Sequence, residues 1–181
     1  MALVIETGQV VSGADSYVDL AAADLYHADR GNTSWGVATD TDKEIALRKA
    51  AQYLDGTYLS RWKGRLLTAL QPRQWPRYGV QLLDVRSFSA ENYDGGFNNG
   101  LLPANIIPEQ IKQAQCELAF RALTSPLAPD LSRGGKLTKL TVGPITKEFE
   151  KGAPGSTTYP IVEQLVGAFI SSTNNSELVR C

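Results

Sequence analysis

The sequence is poor in the residues that most catalytic and metal-binding sites require. Among 181 residues there are one histidine, His27, and two cysteines, Cys116 and Cys181. A single histidine excludes a multi-histidine metal site within one chain, and no nucleophile motif accompanies it. The cysteines fit neither a disulfide framework nor a metal-site spacing, so we expect free thiols made in a reducing cytosol. We therefore expect no enzyme, no metal and no cofactor.

The sequence also lacks an excess of charge and any long apolar run. It has 18 Lys and Arg against 19 Asp and Glu, so no overall field attracts nucleic acid or an anionic membrane. No apolar stretch approaches the roughly 20 residues that span a bilayer, and the first residues do not resemble a signal peptide. Gly95-Gly96 and Gly134-Gly135 are not followed by the Gly-Lys-Ser/Thr of a phosphate-binding loop. We expect a protein without a membrane span or a nucleotide site.

Helical periodicity is the main positive signal. It predicts three long helices and a short amphipathic one, while a stretch rich in Leu, Thr and Val predicts a two-stranded ribbon. The helices are expected over residues 16–31, 40–58, 108–125 and 159–170, and the ribbon over residues 136–150. We therefore predict a mainly α fold, with a small helical-bundle core, a β-ribbon and extended N- and C-terminal arms.

The chain divides at a linker rich in glycine and proline. Residues 1–151 are expected to form the helical core, with an N-terminal arm and a long Gly- and Asn-rich loop at 83–104. Residues 152–181 are expected to form a docking helix and a polar tail. The alternative, that this helix caps its own core, is about as well supported. The expected docking residues are Tyr159, Phe169, Ile170, Leu178, Val179 and Arg180.

A basic and aromatic run is the one cluster with two competing interpretations. It contains Arg61, Trp62, Lys63, Arg65, Arg73, Trp75 and Arg77. Tryptophans beside arginines could stack on the bases of single-stranded nucleic acid. The same residue types anchor protein interfaces. We favour the second hypothesis, in which Trp62, Trp75, Pro76 and Arg77 hold the core and the contact between neighbouring subunits, with buried indoles and Arg77 as a polar latch.

Several short motifs occur in a recognisable order. They are Ser16-Tyr17, Arg61-Trp62-x-Gly64, Gln74-Trp75-Pro76-Arg77, Ile107-Pro108 with Ile111, Ala114, Glu117, Leu118 and Ala119, then Gly134-Gly135, Val142-Gly143-Pro144, Glu148-Phe149 and Tyr159-Pro160. This series resembles a family of tailed-phage head-tail connectors (adaptors), some of which carry the name DnaT-like single-stranded-DNA-binding protein. The segment from Leu83 to Ala104 is longer than the corresponding link of that family.

The resemblance implies a structural role in the virion. It implies a homo-oligomeric ring, commonly dodecameric, in the neck between the head and the tail. Its partners would be the portal protein, reached by the C-terminal helix and tail, and a tail protein, with DNA passing through the channel without sequence-specific binding. The rival hypothesis is a replication protein that binds single-stranded DNA through Trp62, Trp75 and the surrounding arginines.

Overall fold

The computed structural model describes residues 2–82, 100–129, 139–142, 144–148 and 157–171. Over these residues the fold is mainly α, as predicted. The helices are α1 (Leu20–Ala28), α2 (Thr33–Gly36), α3 (Asp40–Thr57), α4 (Glu109–Ala122) and α5 (Pro160–Val166), and a 3-10 turn (Gly167–Phe169) follows α5. The strands are β1 (Arg65–Leu66), β2 (Arg77–Tyr78), β3 (Lys139–Val142) and β4 (Ile145–Glu148).

The central pair of helices, α3 and α4, follows the predicted bounds closely. Helix α3 begins after Thr39, whose hydroxyl oxygen accepts the backbone N–H of Asp42 at 3.2 Å. Asp40 and Asp42 place negative charge in the first turn, where it stabilises the helix dipole. Helix α4 begins directly after Pro108. These two helices pack against each other and supply much of the core.

Helix α1 begins four residues later than the sequence predicted. Asp19, and not Ser16, caps it, since its carboxylate accepts the N–H of Ala22 at 2.7 Å. Ser16 is extended and pairs with Ile5 in an isolated parallel bridge. Its backbone is held there by the core, because the next residue, Tyr17, is fully buried. The prediction that the helix begins at Ser16 was therefore wrong, because burial of Tyr17 moves its start to Leu20.

The N-terminal segment, expected to be an arm outside the core, folds back on the body of the molecule. The carboxylate of Glu6, which is 1% exposed, accepts the backbone N–H groups of Gly8, Val10 and Val11 at 2.8–3.0 Å. Gly8 has φ +99°, and a Cβ there would lie 2.0 Å from the carbonyl oxygen of Asn105. The close approach to Asn105 therefore requires glycine.

The strands form two antiparallel pairs. Strands β3 and β4 form the ribbon that the sequence predicted, with Lys139 opposite Glu148. Strands β1 and β2 pair Arg65 with Tyr78 and close a long loop between α3 and α4. Neither β1, β2 nor the one-turn helix α2 was predicted, because two to four residues are too few to show a period.

Helix α5 packs against α4 and contributes to the same core as α3 and α4. Val162 and Val166 are fully buried, and Phe169 is 3% exposed. The 3-10 turn is tied to the β1–β2 loop, because the backbone N–H of Lys63 donates to the carbonyl of Phe169 at 2.9 Å. Residues 157–171, the described part of the segment expected to dock on a partner, thus pack on their own subunit. Within the described ranges, no helix is both long and apolar enough to cross a membrane.

Candidate assembly surface

The two indoles of the basic and aromatic run lie in the core. Trp62 is 5% exposed and Trp75 is 0% exposed. Their rings meet edge to face at 5.7 Å, and Trp75 meets Phe169 in the same way at 5.7 Å. Such edge-to-face contacts add to the hydrophobic stabilisation of burial. Neither indole N–H has a hydrogen-bond partner among the described residues. In this conformation the indoles are covered by their own chain and cannot stack on bases.

Arg77 joins the two sides of the loop that β1 and β2 close. Its guanidinium donates to the carbonyls of Lys63 at 2.7 Å, Gly64 at 3.0 Å and Gln74 at 3.2 Å. The residue is 6% exposed, and burial lowers the pKa of its guanidinium. A planar cation that contacts three carbonyls fixes the loop more firmly than one that contacts a single group. Arg77 therefore acts as a polar latch inside the subunit.

A second polar network fixes the base of the same loop to the last turns of α3. The Tyr17 hydroxyl donates to Asp55 Oδ1 at 2.5 Å, and Arg73 Nη1 lies 3.2 Å from Asp55 Oδ2. The backbone N–H of Trp75 donates to the Tyr17 hydroxyl at 3.2 Å. Burial raises the pKa of Asp55 to about 6, although Tyr17 and Arg73 act in the opposite direction. The loop is thus attached to α3 through buried groups.

The loop between β1 and β2, together with these two strands, carries apolar side chains into solvent. We call Leu66, Leu67, Leu70 and Tyr78 the knob; they are 36%, 37%, 94% and 64% exposed. The Gln71 side chain holds the tip in shape: its carbonyl accepts the N–H groups of Leu67 and Thr68, and its amide donates to the carbonyls of Arg73 and Pro76. Several exposed apolar side chains on a fixed loop are typical of a surface that contacts another protein.

No sequence pattern predicted a role for the knob leucines. They occur without helical or alternating periodicity, so neither pattern marked them as core or as surface. The available signal was three leucines within five residues of the basic and aromatic run. The predicted subunit-contact residues, Trp62, Trp75, Pro76 and Arg77, are all buried beneath this tip. Their role in contacts between subunits stays a prediction.

The predicted docking residues of the C-terminal segment do not form one exposed surface. Phe169 is in the core, and Ile170, at 7% exposed, pairs with Trp62 in an antiparallel bridge. The Tyr159 hydroxyl donates to the carbonyl of Leu127 at 3.0 Å. Leu178, Val179 and Arg180 lie outside the described residues, as does most of the predicted loop at 83–104.

The residues with catalytic potential occupy structural positions. His27 is buried, with its ring 4.3 Å from that of Trp35 and its Nδ1 3.0 Å from Asn32 Nδ2. Burial lowers the pKa of His27 and raises that of the Cys116 thiol to about 12, which leaves the thiol protonated and unreactive. No group of three or more His, Cys, Asp or Glu side chains in the described ranges could hold a metal ion.

Comparison with known proteins gave one match. The model of the family described as "Putative DnaT-like ssDNA binding protein" matches residues 1–181. Neither a curated protein nor a solved structure matched the chain. Because the family model extends over all residues of the sequence, the match does not depend on one motif or one segment. The chain belongs to this DnaT-like family.

Proposed function

We propose that the protein is a head-tail connector of a tailed phage, which forms a ring between the portal and the tail and leaves a channel for DNA. The knob carries this proposal. Three exposed leucines and a tyrosine on a loop held by buried polar groups are costly to leave in water and suited to packing against another subunit. A subunit whose work is assembly needs such a surface more than it needs a pocket.

The wider properties of the chain support the same role. Its formal net charge is -1, and a nearly neutral ring would not retain DNA by binding its phosphates. In this proposal the partners are further copies of the chain, the portal protein and a tail protein, and the location is the neck of the virion. The order of motifs that resembles phage connectors points to this arrangement.

Binding of single-stranded DNA is the second candidate, and the description of the family favours it. The geometry changes how such binding could work. Trp35, Trp62 and Trp75 are at most 5% exposed, so the stacking platform expected from Trp62 and Trp75 is closed in this conformation. The exposed alternative is Tyr78, which pairs with Arg65 across β1 and β2. A tyrosine beside an arginine can stack on a base and contact a phosphate.

The connector proposal is tested by measuring particle mass. Light scattering and negative-stain images of the purified protein, alone and mixed with portal particles, should show rings or a uniform added layer on portal. Leu70→Asp should abolish both without lowering the free energy of unfolding, because Leu70 is 94% exposed. The matched control, Leu25→Asp, changes a leucine that is 64% exposed on α1 and should still assemble. Monomers that do not bind to portal particles would contradict the proposal.

The DNA-binding candidate is tested by fluorescence anisotropy of a labelled oligonucleotide, which does not depend on the buried indoles. Weak binding that disappears at physiological salt and is unchanged in Tyr78→Ala would favour the connector. Tight binding that Tyr78→Ala or Arg65→Ala removes would favour the DNA-binding candidate instead. The Leu25→Asp protein again serves as the control, since Leu25 lies on α1, outside the β1–β2 loop.

A further inference from the structure

A ring requires two different contact surfaces on each subunit. In a head-to-tail interface one patch of a copy meets a second, different patch of the next copy, and the arrangement closes into a ring when the rotation allows it. A contact between two identical knobs would close a two-fold dimer and would bring Arg65 of both copies together. The connector proposal therefore implies that the described surface includes a partner site for the knob.

The best candidate for that site is a groove beside the start of α3. It has a volume of about 350 Å³ and lies between the residues around α2, the first half of α3 and the end of α4. Its apolar lining includes Val37, Ile45, Phe120 and Leu123. Val37 is 86% exposed and Ile45 is 42% exposed. We call this the groove; it leaves apolar surface open to solvent, as the knob does.

The knob and the groove lie at opposite ends of α3. The knob is attached near the C-terminal end, because Arg73 at the base of its loop pairs with Asp55. The groove includes Asp42 and Ile45 of the first turns. Helix α3 has 18 residues, which corresponds to a length of about 27 Å. Surfaces separated in this way can join successive copies head to tail without meeting within one copy.

The two most exposed large apolar side chains in the described part of the chain fall on these two surfaces. Leu70 of the knob is 94% exposed and Val37 of the groove is 86% exposed. Each alone would be an ordinary surface residue. Together, one on the knob loop and one at the edge of the groove, they leave apolar surface of similar chemistry open to solvent at two places on the subunit.

The charges around the two surfaces are also complementary. Every charged residue between positions 61 and 78 is basic, and Arg65 is exposed next to the knob. Asp40 and Asp42 are exposed at the start of α3, where Asp42 lines the groove. Lys49 also lines the groove, so the attraction comes from its Asp42 side. Opposite charges at the rim of an interface favour one orientation over the others.

We propose that the knob of one copy inserts into the groove of the next copy, with Arg65 facing Asp42. This contact rests on the proposed connector function and specifies the partner of the knob: a second copy of the same chain. The contact predicts that subunits join head to tail and that this chain of subunits closes into a ring. Each subunit then uses its knob once and its groove once.

Disulfide or bis-maleimide crosslinking tests this contact. The background is Cys181→Ser, which leaves Cys116, a buried residue, as the remaining native cysteine. Leu70→Cys and Val37→Cys are made separately and together. Each single variant should stay uncrosslinked, an equal mixture of the two should give dimers, and the double variant should give a ladder that ends at the ring. A mixture of Leu70→Cys with Leu25→Cys is the control and should give no product.

The proposed contact is wrong if Leu70→Cys alone forms dimers, since that result indicates a contact between two knobs. It also fails if the mixture of Leu70→Cys and Val37→Cys gives no product, whatever the particle mass. Particle mass tests the proposed function separately. Rings that form without this crosslink would support the connector function and would contradict the contact between knob and groove. A ladder in the double variant together with rings of the unmodified chain supports both.

Discussion

At the scale of single residues, Asp55 makes the free energy of unfolding depend on pH. Its carboxylate accepts the Tyr17 hydroxyl and pairs with Arg73, yet burial raises its pKa from 3.8 to about 6. A raised pKa means that the folded protein binds this proton more tightly than the unfolded chain does. The contribution of Asp55 to stability is therefore complete below pH 3.8 and decreases as the pH rises through about 6.

Asp55→Asn should remove this pH dependence. The amide can still accept the Tyr17 hydroxyl but does not titrate. Relative to the variant, the unmodified protein should lose up to about 3 kcal/mol of unfolding free energy between pH 4 and pH 7, as expected for a pKa shift of this size. Urea unfolding of both proteins at several pH values measures the difference. Equal pH profiles would show that Asp55 does not titrate in this range.

Trp75 illustrates why a buried residue is a poor probe of assembly. If Trp75 held the contact between neighbouring subunits, Trp75→Ala would give soluble protein that fails to build a ring. Because Trp75 is 0% exposed, its removal should cost roughly 3–5 kcal/mol of unfolding free energy. A missing ring could then result from unfolding. The exposed Leu70 separates the two effects, since its substitution changes the surface and leaves the core intact.

At the scale of elements, the loop between β1 and β2 depends on its internal hydrogen bonds. Residues 63–78 contain only two short paired strands, so the regular backbone pairing is small. Arg77 and Gln71 supply the remaining order by bonding to backbone groups on both sides. Because the loop is already ordered before assembly, a contact with another subunit has a smaller entropic cost.

Gln71→Ala should therefore loosen the knob without unfolding the core. The amide protons of Leu67 and Thr68 lose their acceptor and should exchange with solvent at least several times faster. Ring assembly should weaken while the global unfolding free energy changes by about 1 kcal/mol. Hydrogen exchange followed by mass spectrometry checks this, with Gln52→Ala on the exposed face of α3 as the control. Unchanged exchange would show that Gln71 does not fix the tip.

At the scale of the whole molecule, the last described segment belongs to the core. Helix α5 and the 3-10 turn cover Trp75 through Phe169 and connect to Trp62 through Ile170. This arrangement matches the alternative that the sequence left open, a helix that caps its own core. Docking of the C-terminal tail to portal stays a prediction: deletion of residues 171–181 should weaken capture by portal particles.

Phe169→Ala distinguishes the core role from a docking role. Loss of a buried aromatic side chain should lower the unfolding free energy by roughly 3–5 kcal/mol. Ile161→Ala, at a position 38% exposed on α5, should cost much less and is the control. Thermal and urea unfolding measure both variants. If Phe169→Ala were as stable as the unmodified protein, the segment would not be part of the core.

Local patterns determined the existence and type of the longer elements. The apolar stripe and the carboxylates of Asp40 and Asp42 indicate α3, and Pro108 marks the start of α4, because these signals act within a few residues. The predicted start of α1 was wrong because of a distant contact. Gln115, buried on α4, accepts the N–H of Tyr17 and donates to the Ser16 hydroxyl, and this contact holds both residues extended. No pattern near Ser16 could reveal a partner about a hundred positions away.

The sequence by itself thus determined a mainly helical chain and two tryptophans suited to burial, because propensity, capping and hydrophobicity are local or compositional properties. Only the tertiary structure decided which apolar groups remain outside. Trp75 and Leu70 are both strongly apolar and lie five positions apart, yet one is fully buried and the other is 94% exposed. That difference depends on the bonds that attach the loop to Asp55, Lys63 and Gly64, which are contacts between segments and not properties of either residue.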